Sequence, residues 1–233
     1  MSAVYVASLR ERNLIYLTGE EFHHAIHTLR HKVGDLIWLT DGQGYVAKGC
    51  IESISPSQAT ISVLDLLERP GEPSVSIGLV VSPLKQLSRI EWLVEKSVEL
   101  GATHLYFLPM QRSVRSSINI LRLQRVALAA LKQNLRSVLP HLHLLKGWEE
   151  IPWESYSVKL MGEIGSSTPL HAALPTHPTS LLWVVGPEGD FTPQELKLLR
   201  EVGCRGVSLG TLRLRAETAA IFLLASLKML WKY

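Results

Sequence analysis

The hydrophobic pattern changes period once along this chain, at Pro70-Gly71-Glu72-Pro73. Before that tetrapeptide apolar residues mostly alternate, as half-buried strands require. After it, short apolar runs alternate with stretches of helical spacing. A switch of period at a Pro/Gly cluster reads as a boundary between folding units, and 233 residues suffice for two. The expected domains are residues 1–70 and 74–233.

In the first, Asp35 to Thr40, a turn at Asp41-Gly42-Gln43-Gly44 and a run from Tyr45 give a strand–turn–strand pattern, and Gln58 to Leu64 alternates again. Thr18, with Glu21 three positions on, marks a short helix by a capping box. A small β-barrel or sheet is the expected closure. Past Pro73 the alternation predicts an α/β domain with a largely parallel sheet. Its strands are expected near Val75, His104, Val158, Leu181 and Val207, each running from there for a few residues. Helices are expected from Ser88 (capping box with Glu91), over 119–138, from Thr192 (capping box with Glu195, Pro193 at the first helical position) and over 216–231. Gly101 and Gly203 are the expected stops. The last helix is apolar on nearly all sides, through Phe222, Leu223, Leu224, Leu227, Met229 and Leu230, so burial on more than one side is expected.

Composition narrows the class. With 46% hydrophobic and 19% charged residues the chain is not of the disordered type. Two distant cysteines, Cys50 and Cys204, supply neither a disulfide framework nor a four-cysteine zinc site, so a reducing, cytoplasmic setting is expected. Arg10, Glu11 and Arg12 precede any long apolar run, against a secretory signal. The apolar stretch 219–227 falls short of the ~20 residues of a spanning helix, so no membrane is expected. The net charge is only +3, yet no acidic residue lies between Leu100 and Trp148, where Arg112, Arg115, Arg122, Arg125, Lys132, Arg136 and Lys146 fall. A cationic surface there would attract phosphates; a solvated helix face that lacks acids is the plainer alternative.

Three glycine-bearing loops each follow an apolar strand: Met161-Gly162-Glu163-Ile164-Gly165, Gly186-Pro187-Glu188-Gly189-Asp190, and Leu209-Gly210 onward to Ala219. In open α/β sheets ligands collect beyond the carboxyl ends of strands, where glycine lets the backbone approach closely. Singly each is a tight turn; together they favour a ligand site. No P-loop, no G-x-G-x-x-G after a strand and no G-x-S-x-G is present, so the ligand stays open at this level. The histidines 23, 24, 27 and 31 lack the zincin glutamate and any nearby cysteine, so no metal is expected. Among the carboxylates in the loops, Glu188 and Glu217 are the candidates for base work or for holding a hydroxyl or amide. For Glu217 the helix dipole alone is a sufficient reason, worth ~0.3–1 kcal/mol.

At these loops the chain resembles a known family. Gly186-Pro187-Glu188-Gly189, Leu209-Gly210 and Leu214-Arg215-Ala216-Glu217-Thr218-Ala219 are similar to the C-terminal signatures of the ribosomal RNA small-subunit methyltransferase E family, of the SPOUT superfamily. Lys85, Lys96 with Glu99-Leu100-Gly101, Arg112-Ser113 and Gln133-x-x-Arg136-x-x-x-Pro140 also match. In the first domain so do His24, Leu29-Arg30, Gly34-Asp35 and Asp41-Gly42. Departures are Asp190 where the family usually has glycine, Leu212-Arg213 before Leu214, and Val4 before Tyr5.

The resemblance implies a PUA-like RNA-binding β-barrel, then a SPOUT α/β domain with a deep trefoil knot. It implies S-adenosylmethionine held by Met161, Gly162, Glu163, Gly186, Pro187, Glu188, Gly189, Leu209, Gly210, Leu212, Leu214, Ala216, Thr218 and Ala219. It implies a homodimer, and methylation of a uridine at N3 in 16S ribosomal RNA of the assembled small subunit, with Arg215 and Glu217 as catalytic candidates. Arg30, Arg112, Arg115, Arg122, Arg125 and Arg136 are the RNA-binding candidates. The alternatives are a non-catalytic RNA-binding assembly factor of the same fold, and a SPOUT enzyme acting at another RNA position.

Overall fold

A computed structural model describes residues 4–6, 8–10, 13–115, 117–176 and 178–231. Glu11 and Arg12, used above against a secretory signal, lie outside the described residues. The chain divides into two compact units, residues 1–72 with 128–139, and 73–127 with 140–233. The first boundary falls two residues past Pro70. The return of 128–139 to the first unit departs from the expectation of two uninterrupted domains.

In the first unit, β1 (Val4–Tyr5), β2 (Leu14–Thr18), β3 (Leu36–Thr40), β4 (Tyr45–Ile54) and β5 (Gln58–Glu68) form one sheet in the order β1-β3-β4-β5-β2. All pairs are antiparallel except β1 with β3. Alternate residues such as Ile37, Leu39, Ala59 and Ile61 point into the core with Phe22 and Ala25. The helix α1 (Gly19–His23) continues as a π-helical turn over His24–Thr28. The capping box expected at its start does not form: Thr18 makes no side-chain cap, and the Glu21 carboxylate instead accepts from the Tyr5 amide at 3.2 Å and the Lys132 ammonium at 2.7 Å.

The second unit is built on six parallel strands. These are β6 (Ser76–Val81), β7 (His104–Phe107), β8 (His141–Leu144), β9 (Val158–Gly162), β10 (Ser180–Val185) and β11 (Arg205–Val207), in the order β11-β9-β10-β6-β7-β8. The helices are α2 (Leu87–Glu99), α3 (Ile120–Asn134, its last residues in the first unit), α4 (Leu170–Ala173), α5 (Pro193–Glu201) and α6 (Ala216–Trp231). Every residue of β10 is buried, as a central strand covered on both faces requires.

One start and one end differ from expectation. The α2 N-cap is Gln86, so Ser88 lies inside the helix, and Glu91 pairs with Arg122 rather than with the cap. The α3 helix opens on Asn119, whose side chain accepts from the Arg122 amide at 3.1 Å, and closes at Leu135, which takes a φ of 58°. On α5 the box forms as expected: Thr192 Oγ1 accepts from the Glu195 amide, and the Glu195 carboxylate accepts from the Thr192 amide at 2.8 Å. The strand β8 was not expected at all.

Candidate active site

Because β11, β9 and β10 are neighbours and parallel, the loops that follow them leave one carboxyl edge side by side. These are the three glycine-bearing loops, scattered over some sixty residues of sequence and gathered here by strand order alone. Met161 and Gly162 end β9, and the Glu163 amide donates to Val207 O at 3.0 Å, tying the first loop to β11. The Glu163 carboxylate is turned to Arg200. In the second loop a Cβ on Gly189 would lie 3.0 Å from Arg112 Cβ, so any larger residue would have to push Arg112 aside by a few tenths of an ångström. Asp190 takes the left-handed conformation with φ 63°; its amide donates to Pro187 O and its carboxylate accepts from the Phe191 amide at 2.8 Å. A short polar side chain tolerates this left-handed turn better than most non-glycine residues do. In the third loop Gly210 has φ 115° and open space where a side chain would stand.

These loops expose apolar side chains: Ile164, Leu212 and Leu214 all face solvent. Leu209 is half-buried, whereas Ala216 and Ala219 are buried in the first turns of α6. Exposed apolar groups and open backbone leave this edge room for a ligand with apolar surface to cover.

Next to the loops lies an open cleft of about 420 Å³ lined by Ser88, Arg89, Trp92, Arg215, Glu217 and Thr218. Arg89 is its electrostatic centre. Its Nε donates to Glu217 Oε1 at 2.7 Å and its Nη2 to Glu217 Oε2, while its Nη1 lies 3.7 Å from Glu188 Oε1. Glu188 Oε1 also accepts from the Lys85 amide at 3.1 Å. Burial alone would raise the Glu217 carboxyl, but the Arg89 hydrogen bonds and the charges of Arg89 and Arg215 outweigh it and hold the group below the ordinary range. Glu217 is therefore an ionised and weak base. Arg215 makes no side-chain hydrogen bond or ion pair among the described residues and is exposed to the cleft.

The basic residues divide into three groups. Arg112 Nη1 donates to Gly189 O at 3.0 Å and Arg115 Nη2 to Lys85 O at 3.2 Å, so both brace loops of the site. Arg122 pairs with Glu91, Arg125 is exposed on α3, and in the first unit Arg30 is exposed with φ 61°. Arg136 is a correction: it is buried and bonded to Glu72 through Nε and Nη2, so its guanidinium does not face phosphate. Neither Arg89 nor Trp92 was singled out in the sequence. Their signal is tertiary, since one α2 face supplies both to the cleft. Among the described residues no cluster of three or more potential metal ligands occurs, and no helix is long and apolar enough to cross a membrane.

A family model described as an RNA methyltransferase domain matches residues 71–228, and one described as an RNA methyltransferase PUA domain matches residues 17–64. The parallel sheet, its looped carboxyl edge and the preceding β unit thus define a PUA-containing protein of the RNA methyltransferase class. Within that class the chain belongs to the ribosomal RNA small subunit methyltransferase E family. It is similar to the member from Bacillus subtilis, 28% identical over 240 residues covering 94% of this chain and 91% of that one. The member from Rickettsia conorii is also 28% identical, over 97% of this chain and 95% of its own. Among solved structures, the Neisseria gonorrhoeae family member bound to S-adenosyl methionine superposes with a TM-score of 0.85 at 26% identity, over 99% of this chain and 98% of that one. The structure of a protein described as a "probable rRNA-methyltransferase" from Porphyromonas gingivalis gives 0.86 at 28% identity, over 100% of this chain and 99% of that one.

Proposed function

We propose that this protein methylates N3 of a uridine in 16S ribosomal RNA of the assembled small subunit, with S-adenosylmethionine as donor. The observation that carries the reading is the meeting of the three loops at one sheet edge, beside a cleft lined by an arginine that has no side-chain partner among the described residues. Met161, Gly162, Glu163, Gly186 to Gly189, Leu209, Gly210, Leu212, Leu214, Ala216, Thr218 and Ala219 would hold the cofactor. The trefoil knot implied by the family resemblance belongs with this reading, as do a cytoplasmic location and a homodimer.

Bound there, S-adenosylmethionine supplies an electrophilic methyl group on its sulfonium. The protein's own task is to make the uridine nucleophilic. N3 carries a proton, and when it leaves, the charge spreads over O2 and O4 of the base. Arg215 is placed to meet that charge. A preorganised donor aimed at the charge that develops in the transition state is worth about 10²–10³ in turnover. Glu217, fixed by Arg89, serves better to set the local field than to take the proton, which goes to Glu188 or to water in the open cleft. Trp92, partly exposed on the cleft wall, offers a face on which an unstacked base rests. Holding the reacting atoms in line adds up to ~7–11 kcal/mol. Arg30, Arg112, Arg115, Arg122 and Arg125 contribute attraction for phosphate.

Mass spectrometry of small-subunit RNA from cells with and without the protein tests this reading: one methylated uridine should disappear, and its persistence would remove the proposal. Arg215→Ala should lower kcat on purified small subunits by about 10²–10³ and leave the calorimetric Kd for S-adenosylmethionine nearly unchanged. Equal losses in both would take Arg215 out of the chemical step.

A further inference from the structure

Glu217 shares its cleft with two cations, Arg89 and Arg215, and is bonded to one of them. Its side chain is 8% exposed, and both oxygens are taken by the guanidinium fork of Arg89. Arg215, two residues earlier in sequence, feels the same carboxylate through its charge but makes no contact with it. A buried carboxylate does not stay unpaired when a cation can reach it. We infer that Arg89 is a positioning residue, which by saturating Glu217 keeps the Arg215 guanidinium out of an ion pair and free to face the substrate. This inference rests on the role given to Arg215 above.

The geometry explains why the position suits arginine. A planar fork fills both carboxylate oxygens at once, whereas a lysine ammonium is a point charge that leaves one oxygen open. The third nitrogen of Arg89 is spent on Glu188, in the loop after β10. One side chain of α2 therefore ties that loop to the first turn of α6. Since the Glu188 contact is 3.7 Å long and partly exposed, its loss should disturb the cofactor loop little.

Arg89→Ala, Arg89→Lys and the double variant Arg89→Ala/Glu217→Gln test the idea by crystallography, calorimetry with S-adenosylmethionine and steady-state kinetics on small subunits. In the Arg89→Ala crystal structure Arg215 should lie within hydrogen-bond distance of Glu217. Its kcat should fall by about 10²-fold, as for loss of the arginine itself, with Kd for S-adenosylmethionine changed less than about fivefold. Removing the capturing charge in the double variant should return much of the lost kcat. Arg89→Lys should fall between wild type and Arg89→Ala, and it carries the test if the alanine variant does not fold. An Arg215 that stays in solvent in these structures, or a double variant no faster than Arg89→Ala, overturns the inference. A wild-type protein inactive on small subunits would instead count against the proposed reaction, and the crystallographic position of Arg215 would still decide this point.

Discussion

Glu72 shows how much one side chain can fix. It sits in the Pro70–Pro73 segment, yet its side chain is 1% exposed. Its carboxylate accepts from Arg136 Nη2 at 2.8 Å, from the Ser137 amide at 3.0 Å and hydroxyl at 3.1 Å, and from the Val138 amide at 2.9 Å. Burial pushes this carboxyl up, but the guanidinium and the amides prevail and hold it below its ordinary value. A carboxylate depressed in the folded state stabilises the protein above the unfolded value of 4.5 and ceases to do so as the pH falls through the lower folded value. Glu72→Gln should therefore flatten the acid limb of a melting-temperature profile below pH ~4.5. At neutral pH it should cost about 3–5 kcal/mol in urea unfolding, because Arg136 is left buried without its counter-ion. A loss below ~1 kcal/mol would show the pair to be no more than a surface contact. None of this was legible in the sequence. Arg136 stands in a run of cations without acids, and the glutamate that claims it is sixty-four residues away. Asp190, by contrast, was readable, since a short polar side chain tolerates the left-handed turn that its position demands.

Single elements follow the same logic. Three capping boxes were visible, and only the one on α5 forms. Local chemistry was identical in kind; Glu21 and Glu91 simply found cations elsewhere in the fold. The edge strand β8 was missed because His141-Leu142-His143-Leu144 carries little β-branched or aromatic character. Its two histidines stand on one face with their β7 neighbours: His141 stacks on His104 at 5.2 Å and His143 on Tyr106 at 4.7 Å. Burial, with the neighbouring imidazoles, pushes His104 down to about 4, and burial lowers His143 as well. The unfolded chain then binds more protons than the folded one between pH ~6.5 and ~4, so stability falls as the pH drops through that window. His104→Phe should remove part of this slope in pH-dependent urea titrations. An unchanged slope would place the acid sensitivity elsewhere.

Over the whole molecule, the class of the second unit was legible and its strand order was not. Alternating strand and helix patterns call for a parallel sheet, but nothing local says that β10 lies between β6 and β9. The glycine loops could be picked out one by one; only the assembled sheet brings them together. The apolar residues of α6 divide by face: Leu223, Leu224 and Leu227 are buried, whereas Phe222 and Met229, seven residues apart, share an exposed face; Leu230, on the Leu223 side, is exposed in the last turn. The exposed face fits the proposed homodimer. Met229→Lys with Phe222→Glu should shift the protein from dimer to monomer in size-exclusion light scattering at micromolar concentration, and a wild-type monomer would remove the claim.

The residues 128–139 that belong with the first unit carry a consequence for gene-level engineering. The Thr40 hydroxyl, the Gly44 amide and the Gly42 carbonyl all find their hydrogen-bond partners there. A chimera that grafts the N-terminal sheet of a relative by splicing at Pro73 would import half of a lock and leave its key behind. Recombination between family members should succeed only when the two segments are inherited as a pair.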